Sequence, residues 1–64
     1  MAIMKVYDWN GICTFQKKWR SWKALDALGI QRMKESDEVA CVKIWENDDM
    51  SDVPNKRMKP GYAH

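Results

Sequence analysis

The sequence predicts an α+β domain of the order β-β-α-β, a three-stranded antiparallel sheet with one helix packed on one face. Three observations predict it. Asn10-Gly11 stands between two apolar segments. SWKALDALGI has a capping residue at one end and an apolar stripe at helical spacing. VACVKIW is a short run rich in β-branched residues. The expected domain covers residues 1–46, with residues 47–64 forming a charged loop and a disordered or loosely packed tail.

Residues 3–9 read as the first strand. Asn-Gly tolerates the positive φ of a type I′ turn and is a strong short-range hairpin signal. Residues 12–16 are then the return strand, extending as far as Trp19 if the strand is long. A two-residue turn sets Trp9 against Ile12, Asp8 against Cys13, Tyr7 against Thr14 and Val6 against Phe15. Alternation of side chains then gives one face Met4, Val6, Cys13 and Phe15. The other face receives Ile3, Tyr7, Trp9 and Ile12, mixed with Lys5, Thr14 and Gln16.

In the next segment Ser21 suits an N-cap and Gly29 a C′ position. Trp22, Ala24, Leu25 and Leu28 share one arc at 100° per residue, with Lys23 and Asp26 outside it. Phe15 and Trp19 miss that arc, which favours a hairpin over one long helix starting at Phe15. Residues 30–37 read as a polar connection with room for an extra turn. In the third strand, residues 39–45, Ala40, Val42 and Ile44 point one way and Val39, Cys41, Lys43 and Trp45 the other. Two Pro, one Gly, many charges and no apolar period mark residues 46–64 as loop and tail.

Composition narrows the function classes. A 64-residue chain is one domain, and a domain near this size buries only about 60% of its unfolded surface. Hydrophobic content of 45% excludes an intrinsically disordered chain. The net charge of +2 conceals segregation: residues 16–34 carry six cations against Asp26, and residues 35–52 carry seven carboxylates against Lys43. The start of the chain lacks an apolar stretch long enough for a signal peptide, and no run approaches the roughly 18 apolar residues of a membrane span, so the expectation is a cytoplasmic protein with no membrane partner and reduced thiols. A Cys13–Cys41 disulfide is the minority alternative. Cys13, Cys41 and His64 are one ligand short of a tetrahedral zinc site. No cofactor is implied. Nor does the sequence hold a nucleophile-elbow, P-loop or cysteine–base pattern, and the expectation is a protein that is not an enzyme.

Three features invite a functional reading. One helix covers one side of a sheet, which leaves Tyr7, Trp9, Ile12 and Trp45 as an aromatic patch on the other. This patch leads to the first hypothesis, a small protein-binding regulator or inhibitor with a protein partner; self-association through the same face would make an isologous homodimer. In QKKWRSWK, Lys17, Lys18, Arg20 and Lys23 interleave with Trp19 and Trp22. Phosphate attraction and base stacking there give the second hypothesis, a nucleic-acid-binding module assisted by Lys56, Arg57 and Lys59. The third feature is the acidic group Glu46, Asp48 and Asp49, which lacks the ligand series of a calcium loop and reads as a solvated loop. A more remote third hypothesis is a structural subunit completed by a larger assembly.

VYDWNG followed by SWKALDALGI resembles the small hairpin-plus-helix DNA-binding modules attached to homing endonucleases, through Val6, Tyr7, Asp8, Gly11, Ser21, Leu28, Gly29 and Ile30. The resemblance covers less than half the chain and implies DNA binding, but the DNA-contacting helix such modules place after Leu-Gly-Ile is not evident. In its small size, its richness in Trp, Met and Lys and its lack of a catalytic motif, the chain also resembles phage-type accessory proteins that block host enzymes.

Overall fold

The computed structural model describes residues 1–63, and His64 and its part in a zinc site lie outside the described residues. The elements are β1 (Ala2–Tyr7), β2 (Cys13–Trp19), α1 (Trp22–Glu35), β3 (Cys41–Trp45) and β4 (Asn55–Met58). The expected α+β class and helix-on-sheet arrangement hold. The sheet, however, has four antiparallel strands in the order β2-β1-β3-β4, not three.

The extra strand comes from the stretch read as tail. β4 pairs along β3 from Cys41–Met58 to Ile44–Asn55. All four of its residues are exposed, so it carries no apolar period. What holds it is specific. The Arg57 guanidinium grips the Asp26 carboxylate of α1 with two hydrogen bonds of 2.7 and 2.8 Å. The Lys59 amide donates to the Ala40 carbonyl, and the Lys59 ammonium to the Ser36 carbonyl. Cations on an edge strand also discourage pairing with another chain.

The hairpin departs from a type I′ turn. Gly11 alone takes a positive φ (80°) in it, so the loop is the three residues Trp9, Asn10 and Gly11. Asp8 organises it: its carbonyl accepts from Gly11 N–H, and its Oδ1 accepts from Asn10 and Ile12 N–H. The longer loop is absorbed by an irregularity beside Val6 and Tyr7. Val6 still faces Phe15, but Tyr7 now faces Cys13, where Thr14 was expected. One bulged residue thus moves Cys13 to the face away from the helix.

In α1, Ser21 is the N-cap, accepting from Ala24 N–H. Gly29 does not end the helix, which continues to Glu35, with the Ser36 amide donating to the Arg32 carbonyl. Gly29 is instead the point of closest approach to the sheet. A Cβ there would lie 2.8 Å from Val42 Cγ1 and 3.4 Å from Met4 Sδ. Gly29→Ala would gain about 1 kcal/mol of helix propensity. Overpacking costs about 1–3 kcal/mol, and Val42 is a stiff, fully buried side chain. Gly29→Ala is therefore expected to lower stability by about 1 kcal/mol in urea titration, the reverse of its usual effect in a helix.

The core lies between α1 and the sheet. Ala2, Met4, Val6, Leu25, Val39, Val42 and Ile44 form it, with Phe15, Trp22, Leu28 and Met33 packed at its margin. Val39, expected on the opposite face, joins this cluster from just before β3. Among the described residues no helix is long and apolar enough to cross a membrane.

Candidate functional site on the helix-free sheet face

Alternation and register fix what the second face carries. Antiparallel partners project to the same side. One end row is Lys18, Ile3 and Trp45 on β2, β1 and β3. The middle row crosses all four strands as Gln16, Lys5, Lys43 and Lys56. The other end row is Cys13, Tyr7, Cys41 and Met58.

The middle row sets three lysines side by side on adjacent strands, about 4.8 Å apart. Like charges directly opposite are destabilising in a sheet. No carboxylate forms an ion pair with any of the three among the described residues; the face has one ion pair, a long Lys18–Asp48 contact of 3.9 Å at its corner. Instead, ammonium groups rest on the flanking rings. Lys5 Nζ lies 5.9 Å from the centre of the Trp45 ring, and Lys43 Nζ 4.9 Å from that of Tyr7.

The four residues expected to form one aromatic patch are divided by this row. Trp45 is half-buried at one end and Tyr7 half-buried at the other. Trp9 belongs to the hairpin loop; its indole N–H donates to the Asp37 carbonyl (2.8 Å) and its ring meets Tyr62 edge-on at 6.5 Å. Trp9 and Ile12 remain 40% and 60% exposed at that tip. Nor is the reverse of the sheet bare at the tip end: Cys41 is fully buried there, and Tyr62 of the C-terminal segment hydrogen-bonds to it. Met50 and Val53 of the β3–β4 connection stay exposed.

The basic tryptophan segment is likewise split. Lys17 and Trp19 oppose the core residues Met4 and Ala2, so they project to the helix side, where the Lys17 ammonium sits 4.5 Å from the Trp19 ring centre. Lys18 alone projects to the open face. Arg20 lies in the β2–α1 connection and Lys23 on the exposed side of α1. Of the tail cations, Arg57 is held by Asp26 and Lys59 by Ser36, and Lys56 joins the lysine row.

Sequence reasoning did not bring Lys5, Lys43 and Lys56 together: Lys56 was named only as assisting the basic tryptophan segment, and Lys5 and Lys43 were not singled out. The three are far apart along the chain and become neighbours only through the β1–β3 and β3–β4 registers. Lys5 and Lys43 were legible as polar positions within otherwise apolar strands, each at a place where alternation sends it away from the helix.

The acidic residues serve local structure. Asp49 Oδ1 accepts from Ser51 N–H, which holds its carboxyl below the usual range, and Asp52 accepts from Glu46 N–H. Among the described residues no group of three or more metal-ligating side chains converges on one point.

Both cysteines are free. They flank Tyr7 from opposite strands of the sheet, roughly two strand spacings or about 10 Å apart, beyond the reach of a disulfide. Burial pushes the Cys41 thiol up, against the opposing influence of Lys43, Lys56 and the Tyr62 hydrogen bond. Burial likewise raises Tyr7. In the native protein one equivalent of thiol, Cys13, is expected to react within minutes with an aromatic disulfide reagent at pH 8. Cys41 should follow only on unfolding. Two equally fast thiols would mean that the tip-end cover is open in solution.

The Asp26–Arg57 pair gives β4 a pH dependence. The Arg57 hydrogen bonds hold the Asp26 carboxyl below its ordinary value, against a smaller effect of burial. A carboxylate depressed in the folded state contributes stability above its unfolded pKa of about 3.9, and the contribution is lost as pH falls through the folded value. Hydrogen exchange at Asn55–Met58 is therefore expected to lose protection below about pH 4 relative to the other strands. In Asp26→Asn that protection should be low at neutral pH as well.

Comparison with protein families, curated proteins and solved structures found no match to this chain.

Proposed function

We propose that this chain is a small non-catalytic binding protein whose helix-free sheet face takes up single-stranded nucleic acid. The observation that carries the reading is the row of Lys5, Lys43 and Lys56, aligned on neighbouring strands, without a carboxylate partner among the described residues, and flanked by Trp45 and Tyr7. A like-charge row costs the free protein stability, and a polyanion lying across it removes that cost.

The aromatic rings give the same face a second role. A cation–π contact at an exposed site is worth about 0.5–1 kcal/mol, whereas stacking a base on an aromatic side chain is worth about 1–3 kcal/mol. Exchange is therefore favourable. Bases replace the ammonium groups of Lys5 and Lys43 on the Trp45 and Tyr7 rings, and those ammonium groups swing to phosphates. A flat sheet face suits an unpaired strand, whose bases are free to splay onto it.

Fluorescence anisotropy with a labelled single-stranded 12-mer tests the reading, with the same sequence as a duplex for comparison. Saturable binding with preference for the single strand is expected, accompanied by quenching of tryptophan emission. Equal or tighter binding of the duplex, or none of either at low salt, would overturn it.

A protein partner is the second reading, favoured by the exposure of Trp9 and Ile12 at the hairpin tip. There the anchoring rings lie outside the lysine row, and binding would survive neutralisation of the lysines.

A further inference from the structure

A concave surface lies on the helix side, between the hairpin and the C-terminal half of α1. It encloses about 780 Å³, within the roughly 300–1,000 Å³ range of small-molecule sites. Trp9, Phe15, Leu28 and Val39 supply much of its apolar lining. Arg32 projects into it. Its guanidinium carbon sits 3.7 Å from the Phe15 ring centre, so one flat side is covered by the ring. Its Nε is buried and has no hydrogen-bond partner, and among the described residues no carboxylate pairs with the group.

This is an unusual state for an arginine. A buried donor left unpaired costs free energy, more so when charged. Of the three carboxylates in the same lining, Glu38 makes no ion pair with Arg32, and the other two are engaged elsewhere. Glu35 accepts from the Gln31 side-chain amide, and Asp8 accepts from backbone amides of the hairpin loop. The Phe15 ring against the guanidinium leaves the edge carrying its two terminal N–H₂ groups for a planar oxyanion.

We propose that this cleft is a binding site for a small organic carboxylate with an apolar, flat body. The carboxylate takes the donor edge of Arg32, and the body lies against Trp9 and Leu28. Phosphate has the same fork geometry but carries roughly one and a half negative charges at neutral pH. Asp8, Glu35 and Glu38 line the cleft as well, and they repel a dianion more than a monoanion.

The test is a ¹H–¹⁵N NMR titration of the whole chain with 4-phenylbutyrate, with inorganic phosphate and neutral 4-phenylbutanamide as parallel arms. Saturable shifts are expected for the Trp9 indole N–H, Thr14 and Arg32 with phenylbutyrate. Both phosphate and the amide should bind at least tenfold more weakly. Arg32→Gln should weaken phenylbutyrate at least tenfold while preserving the dispersed spectrum. Arg32→Lys, which keeps charge but not the fork, should fall between and serves as the reading if Arg32→Gln fails to fold. Absence of saturable shifts at the cleft, an affinity unchanged by either variant, or phosphate or amide binding as tight as phenylbutyrate would overturn the proposal.

Discussion

Leu25→Ala is expected to remove about 2–5 kcal/mol of stability, the range for truncating a buried leucine. Leu25 is the fully enclosed contact of α1, with 0% exposure, and it sits among Met4, Val6, Val42 and Ile44. Deleting its isobutyl group leaves a void lined by strands on one side and a helix on the other. Neither can close it without moving the whole α1–sheet interface, which Gly29 already holds at close range. A chain of 64 residues has roughly 3–10 kcal/mol in total. The variant should therefore be partly unfolded at 37 °C. Urea titration followed by circular dichroism would show the midpoint falling with little change in slope. A loss below 1 kcal/mol would mean that the helix is not seated on the sheet as described.

Replacing Lys5, Lys43 and Lys56 together by Gln is expected to act on binding far more than on folding. Removing two directly opposed like-charge pairs relieves the free protein, and losing the Lys5–Trp45 and Lys43–Tyr7 contacts offsets that relief, so stability should change by less than about 1 kcal/mol. Affinity for a single-stranded oligonucleotide should fall about 100-fold, on the order of 1 kcal/mol for each lost phosphate contact. The contrast separates a functional row from a structural one. If the lysines were retained for packing of their stems, the triple variant would lose stability, and binding would follow the fold.

Much of the fold was legible because its signals are local. Ser21 caps α1 as its residue type suggests, and Val42 and Ile44 face the helix as strand alternation requires. Errors arose where one signal serves two physical purposes. Gly after Leu28 marks either a helix end or a close approach, and only the position of Val42 distinguishes them. Asn10-Gly11 marks either a two-residue turn or a longer loop, and the Asp8 carboxylate selects the second by bonding two amides of the loop. β4 was missed because it is made by partners distant in sequence, Asp26 with Arg57 and Ala40 with Lys59. The candidate site was less legible for the same reason. Alternation placed Tyr7 and Trp45 together on the helix-free face, but the charge between them depends on pairing β1 with β3 and β3 with β4.

Electrostatic uptake of a polyanion has a direct signature in salt. For a single strand, the logarithm of the association constant should fall against the logarithm of salt concentration with a slope of about −0.7 per neutralised phosphate. With Lys5, Lys18, Lys43 and Lys56 on the face, a slope between about −2 and −3 is expected for the native chain, flattening to about −0.7 in the triple Gln variant. A native slope near zero, or one that the three substitutions leave unchanged, would contradict the assignment of nucleic-acid binding to this face.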